Sequence, residues 1–190
     1  MALAVGAAVL LAVDPARGAY PGANGRIAFE SNRDGNLEIY SMNPDGSDQV
    51  NLTRDTAEDT DPVWSPNGTR IAFVKASEGH RNVYVMNADG SGKTNLTDTP
   101  APVGLEIEPA WSPDGTRIAY VRGFNIWVMN ADGSGQRQLT FTTGAQEAER
   151  APDWSPDGSR IVYQKAGAVW VMNADGTGQR QIVANSVLPA

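Results

Sequence analysis

Two phrases recur along the chain at nearly constant spacing, and this repetition constrains the fold more than any other feature. WSPDGTRIAY at Trp111 returns as WSPNGTRIAF at Trp64 and as WSPDGSRIVY at Trp154. A second phrase, typified by VMNADGSG, has methionines 44, 43 and 43 residues apart, at Met42, Met86, Met129 and Met172. Self-similarity at a fixed period is the signature of an array of similar structural units. Four such units fill the 190 residues apart from a leader and a short tail.

Each unit has the pattern of four short strands. In the third unit the segments EPAWS, TRIAYV, IWVMN and QRQLT are separated by turns that contain Pro-Asp-Gly, Arg-Gly-Phe-Asn and Asp-Gly-Ser-Gly. Gly, Asn and Asp favour such turns because they tolerate positive φ. A period near 43 residues with four strands per unit is the size of a β-propeller blade. The sequence therefore predicts an all-β fold, a β-propeller of four tandem four-stranded blades that is either closed or an open arc of a larger propeller.

The repeated residues also carry a family resemblance. WSPDGTRIAY followed by IWVMNADGSGQRQLT resembles the TolB-type propeller repeat, also called the WD40-like Pro-Asp repeat. The segment from Tyr20 resembles the first blade of secreted bacterial members, with Tyr20 where later blades have Trp. We expect a leader at residues 1–18 and a propeller over 19–190. The expected blades cover 20–56, 57–100, 104–142 and 147–183.

The first thirteen residues, MALAVGAAVLLAV, are uncharged and apolar. As a helix they would span about 20 Å, less than the roughly 30 Å of a bilayer core. They fit the apolar region of a secretory signal, with Ala16 to Gly18 supplying small residues for cleavage, although no basic residue precedes them. We expect a periplasmic or extracellular protein with no membrane span. The alternative is a buried N-terminal strand or helix.

Composition excludes several function classes. The chain has 15 Lys plus Arg against 22 Asp plus Glu, a net charge of −7, so nucleic acid is a poor candidate partner. It has no Cys, which excludes disulfides, thiolate metal sites and cysteine nucleophiles. No G-x-S-x-G elbow is present, and His80 is the only histidine. We expect no catalytic residues, no cofactor and no metal.

The repeated tryptophans and Asp-Gly loops have structural explanations. Trp64, Trp111 and Trp154 recur once per blade, where a large ring fills the wedge between neighbouring sheets. Trp127 and Trp170 are expected in the core as well. The Asp-Gly loops lack the alternating carboxylates and bidentate Glu of a calcium loop, so hairpin turns explain them better.

Acidic residues precede each repeated tryptophan. Asp59, Glu106 and Glu149 lie five positions before it, and Asp61, Glu108 and Ala151 lie three before it. In the repeat that the chain resembles, this segment leads into the innermost strand, which places the acids around one mouth of the central channel. Converging carboxylates attract a cation or a basic peptide segment. The candidate binding rim is therefore Asp59, Asp61, Glu106, Glu108 and Glu149, and the alternative is a solvated acidic rim that aids solubility.

Two functions follow as hypotheses. The first is a non-enzymatic, exported scaffold that binds a protein or peptide partner at the channel mouth. The second is the propeller part of an enzyme, either a truncated peptidase propeller or a glycan-active lyase or glycosidase that uses the channel acids. The outer faces of the first and last blades are expected to be apolar, which also predicts self-association through the terminal blades.

Overall fold

A computed structural model describes residues 25–77, 79–98 and 106–184. The expected leader at 1–18, Tyr20 and the tail beyond residue 184 lie outside the described residues. Apart from one 3₁₀ turn at Ala145–Glu147, the regular structure consists of antiparallel β-strands. In the described residues, no helix is long and apolar enough to cross a membrane.

The first two sheets follow chain order. Sheet 1 contains β1 to β3, at Ile27–Ser31, Glu38–Met42 and Val50–Asn51. Sheet 2 contains β4 to β7, at Glu58–Trp64, Arg70–Ser77, His80–Asn87 and Thr94–Asn95.

The last two sheets repeat the four-stranded order. Sheet 3 contains β8 to β11, at Glu106–Trp111, Arg117–Arg122, Asn125–Asn130 and Arg137–Gln138. Sheet 4 contains β12 to β15, at Glu149–Trp154, Arg160–Lys165, Ala168–Asn173 and Arg180–Val183. The predicted all-β architecture of four propeller blades is confirmed, with three strands of the first blade among the described residues.

The Pro-Asp-Gly segments are turns between the first and second strands. In sheet 3, the Gly115 N–H donates to the Ser112 carbonyl at 2.8 Å, and Gly115 has φ of 68°. Asp114 accepts hydrogen bonds from the Ser112 hydroxyl at 2.6 Å and the Thr116 N–H at 3.0 Å. These bonds, that of Ser112 first, hold the pKa of Asp114 below its ordinary value. The side chain therefore stabilises the turn, as hairpin chemistry predicted.

The hydrophobic core lies between neighbouring sheets. We call the side of a sheet that faces the preceding sheet its leading face, and the opposite side its trailing face. Between sheets 2 and 3, the leading face of sheet 3 contributes Trp111, Ile118, Tyr120 and Met129. The trailing face of sheet 2 contributes Ala72, Val83, Val85 and Leu96. All eight are buried. Burial of each larger aliphatic side chain contributes roughly 1.5–3 kcal/mol to the free energy of unfolding.

The repeated tryptophans belong to these inter-sheet cores. Trp64, Trp111 and Trp154 are 8%, 2% and 5% exposed, which confirms that they pack between sheets instead of forming a stacking surface. Trp127 and Trp170 are half-buried and pack against the same cores. The cores join sheet 1 to 2, 2 to 3 and 3 to 4; among the described residues, none joins sheet 4 to sheet 1.

Candidate functional site

The first strands of sheets 2, 3 and 4 lie beside one another, and each contains a β-bulge. The ladder between β4 and β5 shifts register between Thr60 and Val63, and the ladders of β8 and β12 shift at the same repeat positions. The bulged residues Asp61, Glu108 and Ala151 have φ of 52°, 56° and 50°. A proline follows each of them and has no N–H for the ladder. Each bulge therefore turns the backbone N–H of the bulged residue away from the sheet that contains it.

The N–H groups freed by the bulges bond to carboxylates of the preceding sheet. Asp61 N–H donates to Glu30 Oε2 at 3.3 Å, and Glu108 N–H donates to Asp61 Oδ2 at 3.4 Å. Ala151 N–H donates to Glu108 Oε2 at 2.5 Å. Each carboxylate is thus held in place by the next sheet. Together they form a row across the first three sheets, here called the inner acidic row: Glu30, Asp61 and Glu108.

The inner acidic row lies near solvent without a compensating cation. Glu30 and Asp61 are exposed, and Glu108 is half-buried. Among the described residues, the ion pairs of the protein involve none of these three carboxylates. Three like charges on neighbouring strands produce a local negative potential that attracts a positively charged group.

The other predicted acids occupy a different environment. Asp59, Glu106 and Glu149, which we expected at a binding rim of the channel, are 0% exposed. Each lies near a basic residue on the second strand of its own sheet. The pairs are Asp59–Lys75 at 3.9 Å, Glu106–Arg122 at 2.6 Å and Glu149–Lys165 at 3.4 Å. Buried charges need such partners because desolvation penalises an unpaired charge.

A threonine two residues after the outer strand connects one blade to the next. Thr140 accepts a hydrogen bond from the Ile126 N–H at 2.9 Å, and its hydroxyl donates to Glu149 of the following sheet. The Glu149 N–H in turn donates to the Phe124 carbonyl at 3.0 Å. The buried acid therefore holds neighbouring blades together, a structural role.

Asp59 is the least satisfied of the three buried acids. Lys75 makes its closest contact with Asp55 instead. Among the described residues, neither carboxylate oxygen of Asp59 accepts a hydrogen bond, and the Thr53 hydroxyl donates to Glu38. Burial is the main cause that raises the pKa of Asp59 to about 7, and nearby Lys75 offsets part of that effect.

The sequence contained a signal for the buried cations but not for Glu30. Lys75, Arg122 and Lys165 each lie four residues after the repeated isoleucine of the second strand, so their recurrence marks them. Glu30 is apart from both repeated phrases, and its counterparts Val74, Val121 and Gln164 are not acidic. Its position in the row depends on packing between sheets, which sequence spacing does not reveal.

The described residues contain no group of three or more His, Asp or Glu side chains arranged to hold a metal ion. The site offers carboxylate oxygens as acceptors, with no histidine beside them. Carboxylate oxygens accept hydrogen bonds from cationic donors such as Lys and Arg.

Comparison with known proteins gives a family match and a set of structural likenesses. The sequence model of the TolB beta propeller domain matches residues 16–188. A candidate TolB from Agrobacterium tumefaciens is 21% identical with a TM-score of 0.69, covering 83% of this chain and 60% of that one. No curated protein matches the sequence.

Two further solved structures share the fold. A chain of a nidogen/laminin complex is 12% identical with a TM-score of 0.67, covering 87% of this chain and 63% of that one. An oligogalacturonate lyase in complex with manganese is 14% identical with a TM-score of 0.65, covering 83% of this chain and 49% of that one. At these identities the likeness concerns the fold alone. The chain spans less than two thirds of each of the three structures.

Proposed function

The chain belongs to the TolB beta propeller domain family, and on that premise we propose that it is a non-enzymatic, exported scaffold that binds a protein or peptide partner. The partner presents a basic segment, and the inner acidic row binds it. The observation that carries this proposal is the contrast between two sets of acids. The buried acids lie near cations of their own sheets, whereas Glu30, Asp61 and Glu108 are held near solvent with none.

The geometry of the row favours recognition of an extended basic segment. Its carboxylates lie on successive sheets, and each is oriented by the N–H of the next. Oriented carboxylates lose little side-chain entropy when they accept bonds from Lys or Arg. The net charge of −7 adds long-range attraction for such a partner. A chain of the nidogen/laminin complex shares the fold, so this fold is compatible with protein association.

The test is the binding of a fluorescein-labelled peptide of alternating Lys and Gly, followed by fluorescence anisotropy at low salt. Asp61→Asn/Glu108→Gln retains an amide oxygen to accept each N–H but removes two charges. We expect this double variant to weaken binding about ten-fold, since two charge-assisted contacts of roughly 0.5–1 kcal/mol each are lost.

The matched control removes two exposed carboxylates elsewhere. Asp89 and Asp132 are exposed acids of the Asp-Gly loops outside the row, so Asp89→Asn/Asp132→Asn changes the net charge equally and keeps a side-chain oxygen for each turn. We expect this control to bind within about two-fold of the unmodified protein, because only distant charge is removed. Equal weakening by both double variants would show that net charge, not the row, attracts the peptide.

We also propose that the protein acts in the periplasm or the cell envelope. The apolar leader at residues 1–18 supports this location. Cell fractionation tests it: deletion of residues 2–18 should retain the protein in the cytoplasm. Export without those residues would contradict the proposal.

The alternative function is a lyase- or hydrolase-type reaction that uses the channel acids. The likeness of fold to an oligogalacturonate lyase in complex with manganese favours it. Incubation with oligogalacturonate and Mn²⁺, and with a peptide panel, tests for turnover. Turnover that is lost in Glu108→Gln would replace the scaffold proposal with this one.

A further inference from the structure

The trailing face of sheet 4 repeats the positions that form the inter-sheet cores. Positions that are 0–7% exposed on the trailing faces of sheets 2 and 3 include Val83, Leu96, Ile126 and Leu139. In sheet 4 the counterparts of these positions are Val169 and Ile182. Val169 is half-buried and Ile182 is 47% exposed. Among the described residues, no sheet covers this face.

The leading face of sheet 1, the other half of such an interface, is also less buried than its counterparts. Its Ile27, Phe29 and Met42 occupy the positions of Ile118, Tyr120 and Met129 in sheet 3. The three residues of sheet 3 are at most 1% exposed, whereas those of sheet 1 are only half-buried. One chain therefore carries both halves of an interface that it forms three times internally.

A hydrogen-bond donor on sheet 1 is positioned for the same interface. Gln136 Nε2 donates to the Gly133 carbonyl at 3.2 Å and, across the interface, to the Leu96 carbonyl at 3.0 Å. Gln179 makes the same pair of bonds at 3.1 and 3.3 Å, the second to Leu139. Gln49 Nε2 makes only the local bond, to the Gly46 carbonyl at 2.9 Å, and Gln49 Oε1 accepts a hydrogen bond from Arg33. The second N–H of Gln49 has no acceptor among the described residues.

In each of the other blades, the glycine equivalent to Gly46 marks where the preceding sheet makes contact. An ideal Cβ on Gly90, Gly133 or Gly176 would lie 2.6–3.0 Å from the carbonyl oxygen of a leucine of the preceding sheet. Gly46 has a similar φ of 83°, yet its Cβ would meet nothing within 4 Å among the described residues. The loop therefore has the shape of an interface surface without its partner.

The two faces also carry charged residues of opposite sign, arginines on sheet 4 and aspartates on sheet 1. Arg117 lies over the Trp154 ring at 4.4 Å, and Arg137 donates to the Asp175 carbonyl at 2.8 Å, both across the boundary of sheets 3 and 4. Their counterparts in sheet 4, Arg160 and Arg180, are exposed. The loop of sheet 1 that corresponds to the acceptor loop presents exposed Asp45, together with exposed Asp48, which pairs with Arg26 at 2.7 Å.

We propose that the trailing face of sheet 4 binds the leading face of sheet 1 of a second copy of this chain, head to tail. The contact continues the packing of the internal interfaces, with Ile182 in the place of Leu139 and Gln49 in the place of Gln179. It is separate from peptide binding by the inner acidic row. A head-to-tail contact generates closed rings or open chains, whereas an isologous contact would pair the same face of two copies.

Sedimentation velocity over a range of concentrations tests the association. We expect the unmodified protein to form dimers or larger species as its concentration rises. Ile182→Asp places a charge in the interface and should weaken association at least about ten-fold. The control Phe141→Asp alters a side chain that is 76% exposed outside the interface, and it should associate normally. A monomer at every concentration, or equal loss in both variants, would overturn the proposal.

Cysteine cross-linking tests the orientation, because a disulfide forms between the two thiols that the contact brings together. The chain has no Cys, so engineered thiols are unique. An ideal Cβ on Gly176 lies 3.2 Å from Leu139 Cβ, near the separation of about 3.5–4.5 Å found in disulfides. We expect a mixture of Gly46→Cys and Ile182→Cys proteins to form disulfide-linked heterodimers. Gly46→Cys mixed with Phe141→Cys should not. Preferred cross-linking of Ile182→Cys with itself would show a two-fold contact and overturn the head-to-tail arrangement.

Discussion

Asp59 should make the stability of the protein depend on pH, and Asp59→Asn should remove that dependence. The carboxyl is fully buried between the first two blades, and within the described part of the chain neither of its oxygens accepts a hydrogen bond. Its native pKa of about 7 lies above the ordinary value of 3.8, mainly because of burial. Between those pH values the native protein holds a proton that the unfolded chain releases. The group therefore stabilises the fold most at low pH, and this contribution is lost as the pH rises through about 7.

The size of the effect follows from the two pKa values. A difference of one pKa unit corresponds to about 1.4 kcal/mol. At about pH 5 the bound proton contributes roughly 3 kcal/mol to the free energy of unfolding, and at about pH 8.5 it contributes close to nothing. The asparagine variant has no proton to release. Its stability relative to the unmodified protein should therefore rise by roughly 3 kcal/mol from about pH 5 to about pH 8.5.

Urea denaturation followed by tryptophan fluorescence measures this difference at a series of pH values. Comparison of the two proteins cancels the contribution of His80, which both contain. Asp61→Asn, which removes an exposed carboxylate from the same strand, is the control and should follow the pH profile of the unmodified protein. A difference between Asp59→Asn and the unmodified protein that stays constant with pH, or falls as pH rises, would refute the burial argument.

Three further substitutions test the blade architecture by equilibrium denaturation. Glu106→Gln removes the carboxylate that pairs with Arg122 and should lower the free energy of unfolding by roughly 3 kcal/mol. The control Glu58→Gln, at an exposed position, should lower it little. Equal losses would contradict a structural ion pair. Thr140→Val removes the bonds to Ile126 and Glu149 and should cost about 2 kcal/mol, while Val183→Thr at the same position of the last blade should be neutral. Ala151→Gly relieves a φ of 50° and should stabilise by roughly 0.5–1 kcal/mol, in contrast to a loss in Ala119→Gly within a regular strand.

The blade architecture was predictable because its signals are local and repeated. Each Pro-Asp-Gly segment makes its own turn, and the fixed distance from one turn to the next sets the strand lengths. The packing role of Trp111 followed from its recurrence once per unit, and its 2% exposure confirms it. These features needed no knowledge of contacts between distant residues.

The division of the acids into two environments was not predictable from spacing. Asp59 and Asp61 are two residues apart, which in a regular strand puts side chains on the same face. The bulge between Thr60 and Val63 breaks this alternation and places Asp61, a non-glycine residue, at positive φ. The sequence pattern does not predict this conformation. Asp59 therefore points into the protein, whereas Asp61 is exposed.

The central claim is that the inner acidic row binds a basic partner. The most direct measurement is the dissociation constant of the Lys-Gly peptide as a function of salt concentration. For the unmodified protein, affinity should fall steeply as salt rises, because the contacts are between exposed charges. For Asp61→Asn/Glu108→Gln, affinity should be about ten-fold lower at low salt and should fall less steeply as salt rises, because two of the three row charges are lost. The same affinity and salt dependence in both proteins would contradict the account.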